Sequence, residues 1–170
     1  MLKQIKDDDY YMAQALALTP NAEAAGEIPV AAILVKDGEV IAQGWNQSIT
    51  LNDPSAHAEM MALRQAGSAL NNYRMPGTTL YVTLEPCPMC AGALVHSRIE
   101  RLVYGASDYK TGACGSIMDL VRNDKLNHQI SVTSGVLEAQ CSSVISDFFK
   151  RRREEKKALK RAAQEADRNA

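Results

Sequence analysis

No apolar run in this sequence reaches the roughly 20 residues that a membrane-spanning helix needs. The opening stretch, "MLKQIKDDDYYMAQALAL", has no basic segment leading into an apolar one, so a secretory signal is not expected. Internal repeats, long linkers and low-complexity stretches are absent ahead of the C-terminus. The chain therefore reads as one soluble, cytoplasmic domain, and 170 residues suffice to bury a real core. Cysteine is scarce, with four in the chain. A cytoplasmic setting makes a disulfide improbable, which leaves the thiols free for other chemistry. Net charge is also nearly absent, at -1, but the balance hides an asymmetry. Residues 1–59 carry three Lys/Arg against nine Asp/Glu, whereas "KRRREEKKALKR" at 150–161 carries eight basic and two acidic side chains. One basic block on a neutral protein fits either a local polyanion contact or a solvated helix end.

What is present reads as strands alternating with helices. "DDDYYMAQALALTPNAEAAG" predicts one acidic-started helix, suited to the positive end of the helix dipole. "IPVAAILVKDGEVIAQGWN" predicts two strands turning at Asp37-Gly38. "DPSAHAEMMALRQAGSAL" opens on helix-start residues, and its expected buried stripe is Ala56, Met60, Leu63, Gly67 and Leu70. Further strands are expected at Gly77–Glu85, at "IERLVYGA" and at "HQISVTSG", with a short helix at "PMCAGALVHSR" and a glycine-punctuated loop at "YKTGACGS". A long last helix from about Leu137 sets Cys141, Val144, Ile145, Phe148 and Phe149 on one face and loses its large apolar residues where the basic block begins. Alternation of this kind implies a mixed α/β sheet covered on both faces.

Two of the four cysteines, Cys87 and Cys90, stand three residues apart in "TLEPCPMCAGAL". They follow a strand and open a helix, where free N–H groups and the helix dipole favour thiolates. Their spacing puts both sulfurs on one helical face, a half-site for zinc. Alone, a CxxC also fits a thioredoxin-like redox pair. The earlier "HAE", His57-Ala58-Glu59, opens another helix and is unexplained by a redox reading. Alone, its histidine fits a cap or core position and its glutamate a capping carboxylate. Two helix ends facing each other at the edge of an α/β sheet would supply one imidazole and two thiolates, leaving zinc a fourth position open to water. Glu59, beside the metal, could then move protons. Cys114 and Cys141 are expected as small core residues, and His96 and His128 receive no role.

H-x-E followed by P-C-x-x-C is similar to the signature of the zinc nucleobase deaminases. The resemblance extends through "WNxxIxxxDPSAHAEMMALRQA", "NYRMPGTTLYVTLEPCPMCAGALVHSRI", "VYGASDYKTGACGSIMDL" and "SDFFKRRR". These stretches resemble the bacterial tRNA-specific adenosine deaminases, the TadA type, over roughly residues 8–153. The resemblance implies a cytidine-deaminase-like, three-layer α-β-α fold with a mixed five-stranded sheet, a homodimer whose RNA site spans both chains, and conversion of the wobble adenosine of an arginine tRNA to inosine. It divides the chain into a deaminase domain, 1–153, and a basic, polar, helical and partly disordered tail, 154–170. It assigns one zinc ion per chain to His57, Cys87 and Cys90, and proton transfer to Glu59. It assigns contacts with the flipped base or its sugar to Asn46, with the ribose or backbone to Asp108, with a flanking base to Phe149, and with phosphates of the anticodon stem-loop to Arg152 and its basic neighbours. Residues beyond about Lys156 are expected to pass the anticodon loop and to matter less. Gly26, where the family commonly has a basic residue, and Ala31, in place of a glycine, depart from the pattern. Two rival readings remain open on the residues: a deaminase of a free base or nucleotide such as guanine, cytosine or deoxycytidylate, and a non-catalytic, zinc-stabilised RNA-binding protein.

Overall fold

A computed structural model describes residues 5–169. Its centre is a five-stranded mixed sheet in the order β2-β1-β3-β4-β5, formed by β1 (Ala31–Lys36), β2 (Glu39–Trp45), β3 (Thr78–Leu84), β4 (Arg101–Ala106) and β5 (Ser131–Ser134). β1 pairs antiparallel with β2 and β3, whereas β3, β4 and β5 run parallel. The expected hairpin turn is present: Asp37 and Gly38 both hold positive φ, 51° and 76°, as a two-residue primed turn requires.

Alternation along the strands feeds two cores. Ala32 and Leu34 of β1, with Leu80 and Val82 of β3 and Leu102 of β4, face α3 (Ala58–Leu70) and α4 (Pro88–His96). Ile33, Val35, Tyr81 and Val103 face the opposite side, against α1 (Asp8–Leu16) and the start of α5 (Glu138–Arg168). This is the expected three-layer α-β-α arrangement. Asp8 ties its helix to the sheet: both carboxylate oxygens accept from Arg101, at 2.7 and 2.6 Å, and Tyr81 Oη donates to the same carboxylate at 2.9 Å.

Two sequence expectations are corrected, the single first helix and the buried stripe of α3. The first helix is two, α1 and α2 (Thr19–Ala24), because Pro20 starts a helix well but cannot continue one. α3 begins at Ala58 with His57 as its N-cap, where the HAE motif is expected to open it; ahead of it Asp53 accepts from the Ser55 N–H and Oγ and holds the chain in a turn. The buried apolar stripe of α3 is Ala58, Ala62, Leu63 and Ala66, not one through Met60 and Gly67. Small residues dominate it because α3 lies directly on β2. A Cβ on Gly44 would stand 2.5 Å from the Ala58 carbonyl oxygen and 2.6 Å from the Ala62 nitrogen. Glycine at 44 is what allows the helix N-terminus to reach the sheet edge.

That edge collects the chemistry. β2 runs the same way as β3 and β4, so all three strands end there. They deliver Asn46, the Glu85–Cys87 segment and the loop from Ser107 to Asp119, while α3 and α4 begin there. Open α/β sheets build their sites at such strand ends. α5 is a 31-residue helix, about 46 Å long at 1.5 Å per residue. Its apolar face buries Cys141 and Phe148, half-buries Val144 and Ile145, and leaves Phe149 exposed; every residue from Phe149 to Asn169 is exposed.

Candidate active site

His57 and Cys87 are the N-caps of α3 and α4, each in extended backbone, so both side chains leave the helix ends toward the same space. His57 Nδ1 lies 3.6 Å from Cys87 Sγ and 3.6 Å from Cys90 Sγ. The three ligand atoms all fall within 4.8 Å of one another, the one such metal-capable trio among the described residues. Bonds of about 2.3 Å to sulfur and 2.0–2.1 Å to nitrogen at tetrahedral angles put sulfur about 3.6 Å from nitrogen. The trio therefore has the dimensions of a zinc site with one position left over.

The electrostatics agree. The Cys87 thiol is pulled down to about 4, chiefly by the hydrogen bond from the Cys90 thiol, against burial and with help from His57. Cys90 is pushed upward for the complementary reason: it donates to Cys87 and is buried. The pair thus favours the thiolate at Cys87, and metal ligation requires the Cys90 proton to leave. His57 is raised by its hydrogen bond to Cys87, against burial, with the Glu59 charge adding to it.

Glu59 is 4% exposed, the second residue of α3 and within its first turn, beside the trio. Burial raises it to about 7; a helix-start N–H opposes this and the Cys87 charge reinforces it. A carboxyl poised there both accepts and donates a proton near neutrality. No capping box forms at this helix start, since neither His57 nor Ser55 caps it; instead Asn46 Oδ1 accepts from the Ala58 N–H at 2.9 Å. With its oxygen occupied by the helix end, Asn46 presents its NH₂ as the free group. It lines a cavity of about 170 Å³ with His57, Glu59 and Cys87, walled by Ile28, Val30 and Leu84.

Asp108 and Thr111 form the cavity's rim. The Asp108 carboxylate accepts from Thr111 Oγ1 at 2.7 Å and from the N–H groups of Lys110 and Thr111. Burial opposes its ionisation, but these hydrogen bonds outweigh it and hold the group below the usual range. Ile28, Leu84, Asp108 and Thr111 are shared with an outer cavity of about 450 Å³ that reaches Tyr109, Ile145 and Phe149. Phe149 is 41% exposed and packs edge-on against Phe148, with ring centres 5.4 Å apart.

Of the residues singled out in the sequence, His57, Glu59, Cys87, Asn46 and Asp108 thus line one cavity, Cys90 is buried behind it with Sγ 3.6 Å from His57 Nδ1, and Phe149 stands at the end of the cavity's outer extension. Arg152 stands apart from both. Its guanidinium donates to the Gly26 carbonyl at 2.8 Å and lies 5.3 Å from the Phe148 ring centre, while Arg151 pairs with Glu23. Gly26, at φ +75°, offers its carbonyl as an anchor for α5, and Ala31 is buried in β1 outside the cavity lining. Sequence reasoning passed over Glu85, which also lines the cavity. The available signal was an acidic residue following an uncharged strand, directly before Pro86-Cys87.

Residues 5–106 match the family model for the cytidine and deoxycytidylate deaminase zinc-binding region. The chain is 57% identical over 154 residues to a tRNA-specific adenosine deaminase of Haemophilus influenzae, covering 90% of this chain and 89% of that one. It is 47% identical over 154 residues to the tRNA-specific adenosine deaminase of Bacillus subtilis, covering 91% and 96%. A solved structure from work on A-to-I editing by tRNA deaminases at the wobble position superposes with a TM-score of 0.77 at 43% identity, covering 79% of this chain and 98% of that one. A family whose shared region binds zinc agrees with a trio of zinc dimensions.

Proposed function

From a chain that belongs to the tRNA-specific adenosine deaminase family, we infer an active site that receives one adenine unstacked from the anticodon loop of an arginine tRNA. The protein is a zinc-dependent hydrolytic deaminase that converts adenosine to inosine at the tRNA wobble position. The observation that carries the residue roles is a buried Glu59, poised near neutrality, beside a zinc-sized trio at the floor of a cavity about one base across.

His57, Cys87 and Cys90 hold the zinc. Zinc bound there supplies Lewis-acid activation of the attacking water at C6 of the purine. Glu59 accepts the proton that the attacking water gives up and passes it to the adjacent ring nitrogen; it then takes the hydroxyl proton of the C6 adduct and delivers it to the amino group, which leaves as ammonia as the C6 carbonyl forms. Asn46, with Oδ1 held by Ala58, donates through its NH₂ to an acceptor on the base or its sugar. Ile28, Val30 and Leu84 pack the faces of the base and exclude bulk water. Asp108, kept ionised, accepts from a ribose hydroxyl at the rim, and Phe149 stacks a neighbouring base.

Arg152 stiffens the attachment of α5 and meets phosphate with its outward face. A homodimer completes the RNA surface: Ile49 and Leu51, 65% and 49% exposed, follow Asn46, and the exposed Met89 lies between the two cysteines, so apolar surface surrounds the zinc trio. The setting is the cytoplasm; among the described residues no helix is long and apolar enough to cross a membrane.

The outer cavity leading to Phe149 favours this reading over a free-base or nucleotide deaminase, which has no use for it. A buried, pKa-raised Glu59 disfavours a purely structural zinc site. Competition separates the three. Purified protein offered tRNA together with guanine, cytosine and deoxycytidylate should release ammonia from the tRNA alone. Release from a small molecule, or no release at all, overturns the reading.

A further inference from the structure

We propose that the outer half of α5 is an electropositive rail for the phosphate backbone of the double-helical stem that carries the deaminated loop. The inference deepens the tRNA reading above and rests on it.

A continuous path leads from Glu59 to this helix. The inner cavity opens into the outer one, which ends at Ile145 and Phe149. A third cavity of about 380 Å³ carries on from Phe149 to Lys110 and Arg153. Beyond Arg153, Lys156, Lys157, Lys160 and Arg161 follow at three, four, seven and eight residues, so all five lie along one helical face, the one that begins with Phe149. From Arg153 to Arg161 that face runs about 12 Å at 1.5 Å per residue. Glu154, Glu155 and Glu165 fall to the side or behind; Asp167, further out, is the acidic residue on the face itself.

The inner and outer cations differ in what they touch. Arg151 and Arg152 are engaged with Glu23, Gly26 and Phe148. Among the described residues, no ion pair or side-chain hydrogen bond involves Arg153, Lys156, Lys157, Lys160 or Arg161, and all five are exposed. Free lysine and arginine in a row attract polyanions by releasing condensed counterions.

The partner follows from position and from composition. A loop whose base sits above Glu59 continues into its stem, and the path out of the cavity points along this face. A membrane surface would require an apolar side opposite the charges. Here that side holds Glu154, Glu155, Ala158 and Ala162, with Leu159 as its one large apolar residue. Contact through phosphates alone reads duplex shape without reading sequence. Residues past about Lys156 are expected to matter less because they extend past the anticodon loop; one continuous helix carries them outward in register with Phe149, and what lies past the loop is its stem.

The test uses the zinc-loaded full chain and a variant with Lys156→Gln, Lys157→Gln, Lys160→Gln and Arg161→Gln. Each is assayed for turnover and for binding by fluorescence anisotropy, on an arginine anticodon stem-loop and on a single-stranded oligonucleotide of the loop alone. We expect kcat unchanged on both RNAs. KM and Kd for the stem-loop should rise at least about tenfold at low salt, with the slope of log affinity against log salt shallower by about 0.7–0.9 for each phosphate no longer neutralised. Values for the loop alone should stay within about twofold. An unchanged stem-loop affinity and slope overturns the rail. Equal losses on both RNAs place these cations on the loop and overturn the stem assignment. Retention of the wild type, but not the variant, on anionic vesicles with no change in RNA affinity does the same. A wild type that binds the stem-loop without deaminating it sinks the functional reading while the slope still reports on the rail; one that neither binds nor deaminates overturns both.

Discussion

Ser116 Oγ donates to Glu85 Oε1 at 2.5 Å, and the N–H groups of Cys114 and Ser116 reach Glu85 Oε2 at 3.3 Å each. A carboxylate that is 2% exposed is thereby satisfied wholly by the loop from Ser107 to Asp119, and that loop carries Asp108 and Thr111 to the cavity rim. A Cβ on Gly112 would overlap this carboxylate, so glycine there permits the approach.

Glu85→Gln keeps an oxygen for the Cys114 and Ser116 N–H groups but sets an NH₂ against Ser116 Oγ and removes the charge that all three donors serve. Removing one partner of a buried charged hydrogen-bond set costs about 1–3 kcal/mol. Glu85→Gln should lower the melting temperature and raise KM for tRNA more than it lowers kcat. Gly112→Ala should act in the same direction. Normal melting and normal KM in both variants would show that the loop stands without this clamp.

The Asp8–Arg101 pair gives a pH-dependent prediction. The Arg101 hydrogen bonds, against burial and with Tyr81 contributing, hold Asp8 below its usual value. A carboxylate lowered in the folded state stabilises above its unfolded pKa of about 3.9, and the contribution is lost as pH falls through the folded value. Both side chains are about a third exposed, so the effect should be about 1 kcal/mol. Urea unfolding of Asp8→Asn should show that deficit at pH 7 and a smaller one at pH 3. An equal deficit at both would remove the ion pair as its cause.

Much of this was legible in the residues because it rests on local chemistry. Asp37-Gly38 dictates its turn, β-branched runs dictate β1 and β3, and Pro88 after Cys87 fixes the start of α4. Sequence left the buried stripe of α3 open, because the close approach of α3 to Gly44 selects its small residues, a contact that spacing does not reveal. It also left Arg152 and Glu85 open. Arg152 is held by a backbone carbonyl 126 positions away, and Glu85 by a loop about 30 positions on. Such partners are created by the fold and have no periodicity to announce them.

Removing a ligand should separate metal from fold. Cys90→Ala leaves two donors and a small buried void, so zinc content should fall well below one per chain, with reduced melting temperature. Metal analysis of the purified variant checks this. Full zinc occupancy would assign the ion to other residues.

Glu59→Ala should keep its zinc and its fold while losing turnover by a factor on the order of a hundred to ten thousand, the usual span for a general acid-base group, or more because it serves several steps. Single-turnover rates with saturating tRNA measure it. A rate near that of the parent would take Glu59 out of the reaction.

The central claim is that one cavity, lined by His57, Glu59 and Cys87 with Cys90 buried behind them, deaminates the wobble adenosine of tRNA. Position-resolved nucleoside mass spectrometry of an arginine tRNA incubated with the zinc-loaded protein tests it most directly. The account predicts inosine at the wobble position alone, one per tRNA, and none with Glu59→Ala. Unmodified adenosine at that position after exhaustive incubation, or inosine formed equally by the Glu59→Ala variant, would contradict it.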